Sequence, residues 1–433
     1  MNGIDLRDIL EKCEEFGADS AEVYAKSIYS LGVEIEKNNI KYVESKESEG
    51  IGIRVISGGT VGFASTSDPN QLTRCIKDSL EHSRMSSEEL KSFPCKSSYP
   101  EVSGINDQNV WDMQPRNLVE GAESMICAAS QEDTYPISGS ISASASDVRI
   151  LNSSGLDVGG KETLVGANME ASFGSDQDKS SSFEFDISRA YDIDFEYIGK
   201  KAAKMAKKSR GGSKTSLGCR DVILSPIALG SILGATLIPA MDPDEVWRRR
   251  SKIPDLISEK IGPEDLNIAD NGLLPKGVNS RGFDDEGVPS TKNPVVKNGI
   301  MKDILYDCRT AEREGKESTS NAVRSSYSTP PSTSPRNLVI EPVSSTKNIQ
   351  DEEDIYVRTV LGAHTANSVT GDFSVASRES FEIEDGKQKP LSGIMLYGNL
   401  YEMLSDIKEI GNDTRKIDNF VLPSVKTSLE VSN

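Results

Sequence analysis

The chain has 433 residues, 36% of them hydrophobic, and a mean hydropathy of −0.43, which suits a water-soluble protein of two or three folded units. Its net charge is −19, from 49 basic and 68 acidic residues, and the acids are scattered; phosphate repulsion would have to be overcome locally, so a nucleic-acid surface is not expected. No apolar run approaches the roughly 20 residues that span a bilayer, so no membrane insertion is expected either.

The six cysteines form no CxxC pair, so neither a zinc knuckle nor a redox dithiol is indicated and free thiols in a reducing compartment are the simpler reading. The first residues show no basic and apolar leader pattern, and the expected location is the cytoplasm.

In chain order, Leu6, Ile9, Leu10 and Cys13 share one face, which predicts an amphipathic helix over 5–16 closed by Gly17. The period changes to two over 21–66, with Asn38-Asn39 and Gly58-Gly59 where hairpins need positive φ, so three or four antiparallel strands are expected before a helix over 68–85. Polar, Pro-containing sequence over 86–114 reads as a linker with little core of its own. A helix over 115–130, alternating strands to about residue 192 and a helix over 195–209 follow. Residues 210–216, RGGSKTS, read as the hinge into a last unit.

That unit opens with a buried helix over 224–247. Ser225 suits the N-cap, Leu229, Ile232, Leu233, Leu237 and Met241 recur at helical spacing, and Pro239 predicts a kink or stop near Ile238. Many short β segments come after it. The expected class is α+β: an N-terminal helix with antiparallel sheet over 1–90, a middle α+β unit over 105–212, and a β-rich unit over 217–433 opened by the buried helix.

The last unit holds an ordered series: Arg281-Gly-Phe-Asp-Asp-Glu-Gly287, Val296-Lys-Asn-Gly-Ile300, Thr319-Ser-Asn-Ala-Val-Arg324, Asn367-Ser-Val-Thr-Gly-Asp-Phe-Ser374 and Gly398-Asn-Leu400. In this order and spacing the series resembles the TldD/PmbA family, in particular its TldE-like (PmbA) branch, over essentially the whole chain. The resemblance implies a division of labour. TldD-type subunits are zinc metallopeptidases with an HExxxH stretch on this helix and a late cysteine as third ligand, whereas TldE-type subunits pair with them and lack the motif. By register the motif positions fall on Gly234, Ala235 and Pro239, none of which can hold zinc or act as general base.

The implied role is a non-catalytic subunit, metal-free itself, in a heterodimer whose TldD-type partner carries the zinc and whose chamber holds unfolded peptides. The alternative is a homodimeric peptide-binding or scaffold protein of the gyrase-modulator type, without peptidase activity. The residue inventory agrees with a metal-free chain. Only two histidines occur, His82 and His364, and no cysteine lies beyond Cys308. His82 reads as a surface residue on its helix.

His364, in a Gly-rich loop, could serve as acid, base or peptide contact, but a loop-supporting hydrogen bond is the preferred reading. Asp284-Asp285-Glu286 reads as a turn whose carboxylates are held by Arg281 and Arg324, ahead of a hard-cation site. Asn321, Asn367, Asp372 and Asn399, the last two beside glycines, are short polar side chains of the kind that satisfy turn backbone. With Arg281, Asp285, Arg324 and His364 they are the candidates for contact with a peptide or partner. Residues 325–334, SSYSTPPSTS, read as a flexible loop.

Overall fold

The computed structural model describes residues 5–131, 133–175, 178–343, 349 and 354–432. Leu6, Ile9 and Cys13 lie buried on one side of α1 (Leu6–Glu15), the Asp5 carboxylate caps it by accepting from the Arg7 amide at 3.0 Å, and Gly17 ends it at a φ of +99°. Period-two sequence then gives β1 (Ser20–Glu36), β2 (Asn39–Ser57) and β3 (Thr60–Thr66), followed by α2 (Leu72–Met85). Next come α3 (Gln108–Trp111), α4 (Pro115–Ala129), β4 (Thr134–Asn152), β5 (Asp157–Phe173), β6 (Ser180–Ser188) and α5 (Phe195–Lys208).

The segments read from sequence as units 1–90 and 105–212 share one sheet. β1 pairs with β4 from Glu22 opposite Asn152 to Glu36 opposite Ser138, giving an antiparallel order of β3-β2-β1-β4-β5-β6. Alternation along β1 sorts its side chains between two faces. Ala21, Val23, Leu31, Val33 and Ile35 are buried under helices, with α1 and α2 over one half and α4 and α5 over the other. Glu22, Tyr24, Lys26 and Ile28 take the opposite face, which the C-terminal unit covers.

Residues 86–107 are more than a linker. Leu90 and Phe93 are buried with Ile56 beside Cys308, the Tyr99 ring packs edge-on to Phe283 at 5.8 Å, and the Tyr99 hydroxyl donates to the Gly287 carbonyl at 3.1 Å. The segment straps the front sheet to the C-terminal unit. Its few apolar residues follow neither helical nor strand period, which is why the sequence reads as coil.

The C-terminal unit starts with β7 (Gly218–Leu224). The expected long helix is then three pieces, α6 (Pro226–Ala235), α7 (Leu237–Ala240) and α8 (Pro243–Trp247). The break falls at Thr236, with φ −120° and ψ −64°, rather than at Ile238. Pro239 explains it: the ring conflicts with the carbonyl four residues earlier, that of Ala235, so the helix ends a turn before the proline.

After α9 (Ile253–Leu256) come β8 (Ile268–Asn271), β9 (Lys292–Lys297), β10 (Ile300–Met301), α10 (Cys308–Arg313), β11 (Ala322–Val323), β12 (Ser332–Thr333) and β13 (Leu338–Ile340). The chain ends through β14 (Ile355–Leu361), β15 (Asp372–Glu384), β16 (Lys387–Pro390), β17 (Met395–Asn399), α11 (Leu400–Ser405), β18 (Glu409–Ile410), β19 (Arg415–Ile417), β20 (Phe420–Leu422) and β21 (Val425–Ser432). Strands β14, β7, β21, β17 and β15 pair in that order, and β15 returns to β14, closing a barrel. A second sheet runs β10-β9-β8-β13-β20-β19. Side chains from α6, α7, the barrel and this sheet build one large core. Among the described residues no helix is long and apolar enough to cross a membrane.

Some glycines permit close packing. In α5, a Cβ at Gly199 would stand 2.3 Å from the Met125 carbonyl oxygen of α4. Alanine normally favours a helix interior over glycine by about 1 kcal/mol, but here it forces two helices apart. Gly199→Ala is therefore expected to lower the urea midpoint of unfolding despite its better helix propensity, and a raised midpoint would contradict this packing.

Candidate functional site

Gly234, Ala235 and Pro239, the positions where the resemblance places the metal motif, lie across the break between α6 and α7. Residues five apart on an unbroken α-helix point about 140° apart around its axis, so ligands at that spacing can converge only where the helix is interrupted, as it is at Thr236. The backbone has the interruption but the side chains supply no donor. Gly234 and Ala235 have none, Pro239 has none, and a Cβ at Gly234 would already touch the Phe420 ring at 3.8 Å. Among the described residues no group of three or more His, Cys, Asp or Glu is arranged to hold a metal ion. The residues present do not fit a catalytic zinc, which needs three such ligands and an open position.

The acidic turn sits in a charge cluster between the front sheet and the C-terminal unit. Glu22 of β1 stands opposite Arg54 of β2. The Arg54 guanidinium donates to both Glu22 oxygens, at 2.9 and 2.6 Å, and reaches Glu286 Oε1 at 2.7 Å. Arg324 donates through Nη2 to Glu22 and through its backbone amide to Asp285 Oδ2 at 2.7 Å. Asp285 also takes Arg281 Nη2 at 2.5 Å and the Tyr24 hydroxyl at 3.2 Å. Asp284 accepts the Glu286 and Val288 amides, both at 2.9 Å, and the Ala322 amide at 3.1 Å, which holds the turn closed. Asn321 continues the cluster by donating to Asp270 Oδ2 at 2.7 Å.

All these side chains are buried, and environment divides their titration. Burial alone would raise Asp285, but Arg281 beside it brings its pKa down to about 2. Glu286 is likewise penalised by burial and held below the usual carboxylate range by Arg54. Asp270 is pushed up to about 6 by burial, against the opposing Asn321 amide. Burial and the Glu286 charge push Asp284 up as well.

The remaining candidates form a second group at the barrel. Asn367 Oδ1 accepts the Val369 amide at 3.0 Å and the Thr370 amide at 3.2 Å; Asn399 donates to Asp372 Oδ1 at 2.8 Å and accepts the Tyr401 amide at 3.0 Å to cap α11. These side chains tie the 367–372 turn to β17. His364 lies in a short turn packed against α6, is exposed, and makes no hydrogen bond among the described residues, so the loop-supporting bond expected of it is not found. His82 is exposed and its Nδ1 contacts the Phe63 carbonyl at 2.7 Å. The structure thus joins Arg281, Asp285, Asn321 and Arg324 in one cluster and places His364, Asn367, Asp372 and Asn399 in another.

Sequence reasoning missed Glu22, Tyr24 and Arg54 as parts of this cluster. Their signal was faint: charged or polar residues at alternate positions of strands normally mark a solvated face. The 325–334 segment, read from sequence as a flexible loop, makes contacts at two points. β12 pairs with β11, and Tyr327 packs over Gly50 and Gly52 of β2, where added Cβ atoms would meet its ring at 2.2 Å and its carbonyl at 2.5 Å.

A three-part α+β architecture with a broken helix at the head of a barrel-containing unit defines the class. Residues 21–83, 108–210 and 218–433 match, in turn, PmbA/TldA metallopeptidase domain 1, the central domain and the C-terminal domain. The chain belongs to the PmbA/TldD metallopeptidase family. It is 32% identical to an uncharacterized protein of Methanocaldococcus jannaschii, over 99% of this chain and 100% of that one. A protein of Methanothermobacter thermautotrophicus named as a metalloprotease is 26% identical, over 95% of this chain and 91% of its own. The crystal structure of TldE from Thermococcus kodakarensis superposes with a TM-score of 0.92 at 23% identity, covering 99% of this chain and 100% of that one, a likeness of fold.

Two outcomes follow from the charge cluster. Removing one partner of a buried ion pair costs about 3–5 kcal/mol because a charge is left uncompensated. Arg54→Met, which strips Glu286 of its cation and leaves Glu22 with Arg324 alone, is expected to lose that much in urea unfolding, whereas Lys41→Ala on the exposed hairpin leaves the midpoint unchanged.

The raised carboxyls also set a pH dependence. Between pH 4 and 6 the folded chain keeps the Asp270 proton that the unfolded chain, with its ordinary value near 3.8, has released, so stability falls as pH rises through that window, and Asp284 acts in the same direction. From pH 5.5 to 7.5 Asp270 alone is expected to remove about 1 kcal/mol of stability. Asp270→Asn flattens that slope if the assignment is right, and an unchanged slope in urea titrations refutes it.

Proposed function

We propose that this chain is the metal-free, TldE-like subunit of a TldD/TldE-type metallopeptidase, joining an HExxxH-bearing companion to enclose unfolded peptides for cleavage. The observation that carries this reading is the α6–α7 break: the backbone has the interruption that ligands five residues apart require, yet Gly234, Ala235 and Pro239 offer no lone pair and the Phe420 ring stands beside Gly234. Such a chain contributes walls and strand edges rather than chemistry. Extended peptides are held by main-chain hydrogen bonds to strand edges, which serves low sequence selectivity, and the front sheet ends in edge strands at β3 and β6.

The test is co-expression with an HExxxH-bearing paralogue, followed by complex mass, zinc content and peptide cleavage with each subunit omitted. The expected result is about one zinc per heteromer, none on this chain alone, and cleavage that requires the companion. Gly234→His combined with Pro239→His is expected to stay inactive alone, because a base and a third ligand are still missing. Stoichiometric zinc on the isolated chain would sink the proposal, and a homodimer indifferent to the paralogue would point to a scaffold protein instead.

A further inference from the structure

Between the polar face of the front sheet and the C-terminal unit lies a cavity of about 230 Å³. Its wall carries five cationic side chains and two carboxylates, an excess of positive charge in a protein whose net charge is −19. Both carboxylates already have partners. Asp285 is taken by Arg281 and by the Arg324 amide, and Glu162 by Arg189 at 3.4 Å.

Three cations facing the cavity keep unused capacity. The side chain of Lys26, half-buried, makes no hydrogen bond or close ion pair among the described residues, though its charge acts on Glu162 and Asp285. Arg336 is buried, and its guanidinium donates only to neutral carbonyls, that of Asn279 at 2.8 Å and that of Phe283 at 3.2 Å, while its backbone amide donates to Asp270 at 2.6 Å. Arg324 is buried too, and its Nη1 has no hydrogen-bond partner. Burying guanidinium N–H groups without an acceptor is costly, and the cost is relieved by an anion that can accept from several of them at once. The electrostatics agree with this arithmetic: burial and the neighbouring Arg281 charge hold Arg336 below the usual guanidinium range.

We propose that this cavity is a binding site for a small oxyanion, a carboxylate or phosphate group, held by Lys26, Arg324 and Arg336. The volume suits a single such group, being smaller than the roughly 300–1,000 Å³ of pockets for drug-sized ligands. The shape of the donor set favours a planar or tetrahedral oxyanion over chloride, since guanidinium forks give paired, directed hydrogen bonds. Two sources share this chemistry, free phosphate and the terminal carboxylate of a peptide. The site needs no companion subunit, so it stands or falls separately from the subunit reading above.

The full chain alone is titrated with sodium phosphate at constant ionic strength, chloride making up the difference, and thermal melting is followed. Saturable stabilisation by phosphate is expected, weakened about 10-fold or more in Lys26→Ala, as the loss of one charge-assisted hydrogen bond requires, and unaltered in Lys41→Ala. A second arm compares one short peptide with a free C-terminal carboxylate against its C-terminal amide. Lys26-dependent binding of the free acid without phosphate binding supports the site and assigns it to peptide ends; phosphate binding alone assigns it to free phosphate. If Lys26→Ala lowers the starting melting temperature, broadening of the ³¹P phosphate resonance and peptide titration calorimetry read binding directly. No saturable binding in either arm, or binding equal in wild type and Lys26→Ala, overturns the proposal.

Discussion

Glu22 sits out of solvent between two arginines that are far apart in the chain, Arg54 at its side in the sheet and Arg324 from the C-terminal unit. A charge there has no water to fall back on, so it must be met by donors in one arrangement. Arg54 passes the constraint to Glu286, and Arg324 passes it to Asp285. The Arg54–Glu286 and Glu22–Arg324 links cross from the front sheet to the 281–287 turn and the 324 strand end. The relative placement of the two units is therefore specified by directed hydrogen bonds as well as by apolar contact. Buried ion pairs of this kind add little net stability over a packed apolar substitute; what this one supplies here is geometry.

That geometry explains the neighbouring segments. The strap over 86–107 has few apolar residues, yet Phe93 lies under the Arg54 guanidinium at 5.1 Å and Tyr99 under the 281–287 turn. Tyr327 of the serine-rich loop reaches the front sheet only because Gly50 and Gly52 leave room for it. Both segments close the seam around the charges and keep solvent from it. The cavity beside Lys26 is the part of the seam that side chains do not fill.

At the other end of the C-terminal unit, helix α6 is apolar throughout its buried length, and its Ser225 cap accepts the Ala228 amide at 3.2 Å. Its interruption at Thr236 belongs to the backbone and follows from Pro239. A break of this shape is compatible with a metal site, but the chemistry depends on which side chains stand at the break. Glycine, alanine and proline at 234, 235 and 239 bring no side-chain donor to the break.

The amino-acid order by itself determined the local elements and the lack of side-chain donors at 234, 235 and 239. Leu6, Ile9 and Cys13 specify α1, Gly58 and Gly59 specify the β2–β3 turn, and the absence of His, Cys or acid at 234, 235 and 239 is a property of composition that no folding can change. The pairing of Asp285 with Arg281 was also legible, because the two residues are four apart and flanked by glycines. The tertiary structure alone decided that β1 and β4 join two segments into one sheet, that Glu22 and Arg54 face another unit rather than water, and that Lys26, Arg324 and Arg336 converge. Periodicity shows which face of a strand is polar, but what covers that face is settled by partners 200 to 300 residues away, and a local pattern carries no term for them.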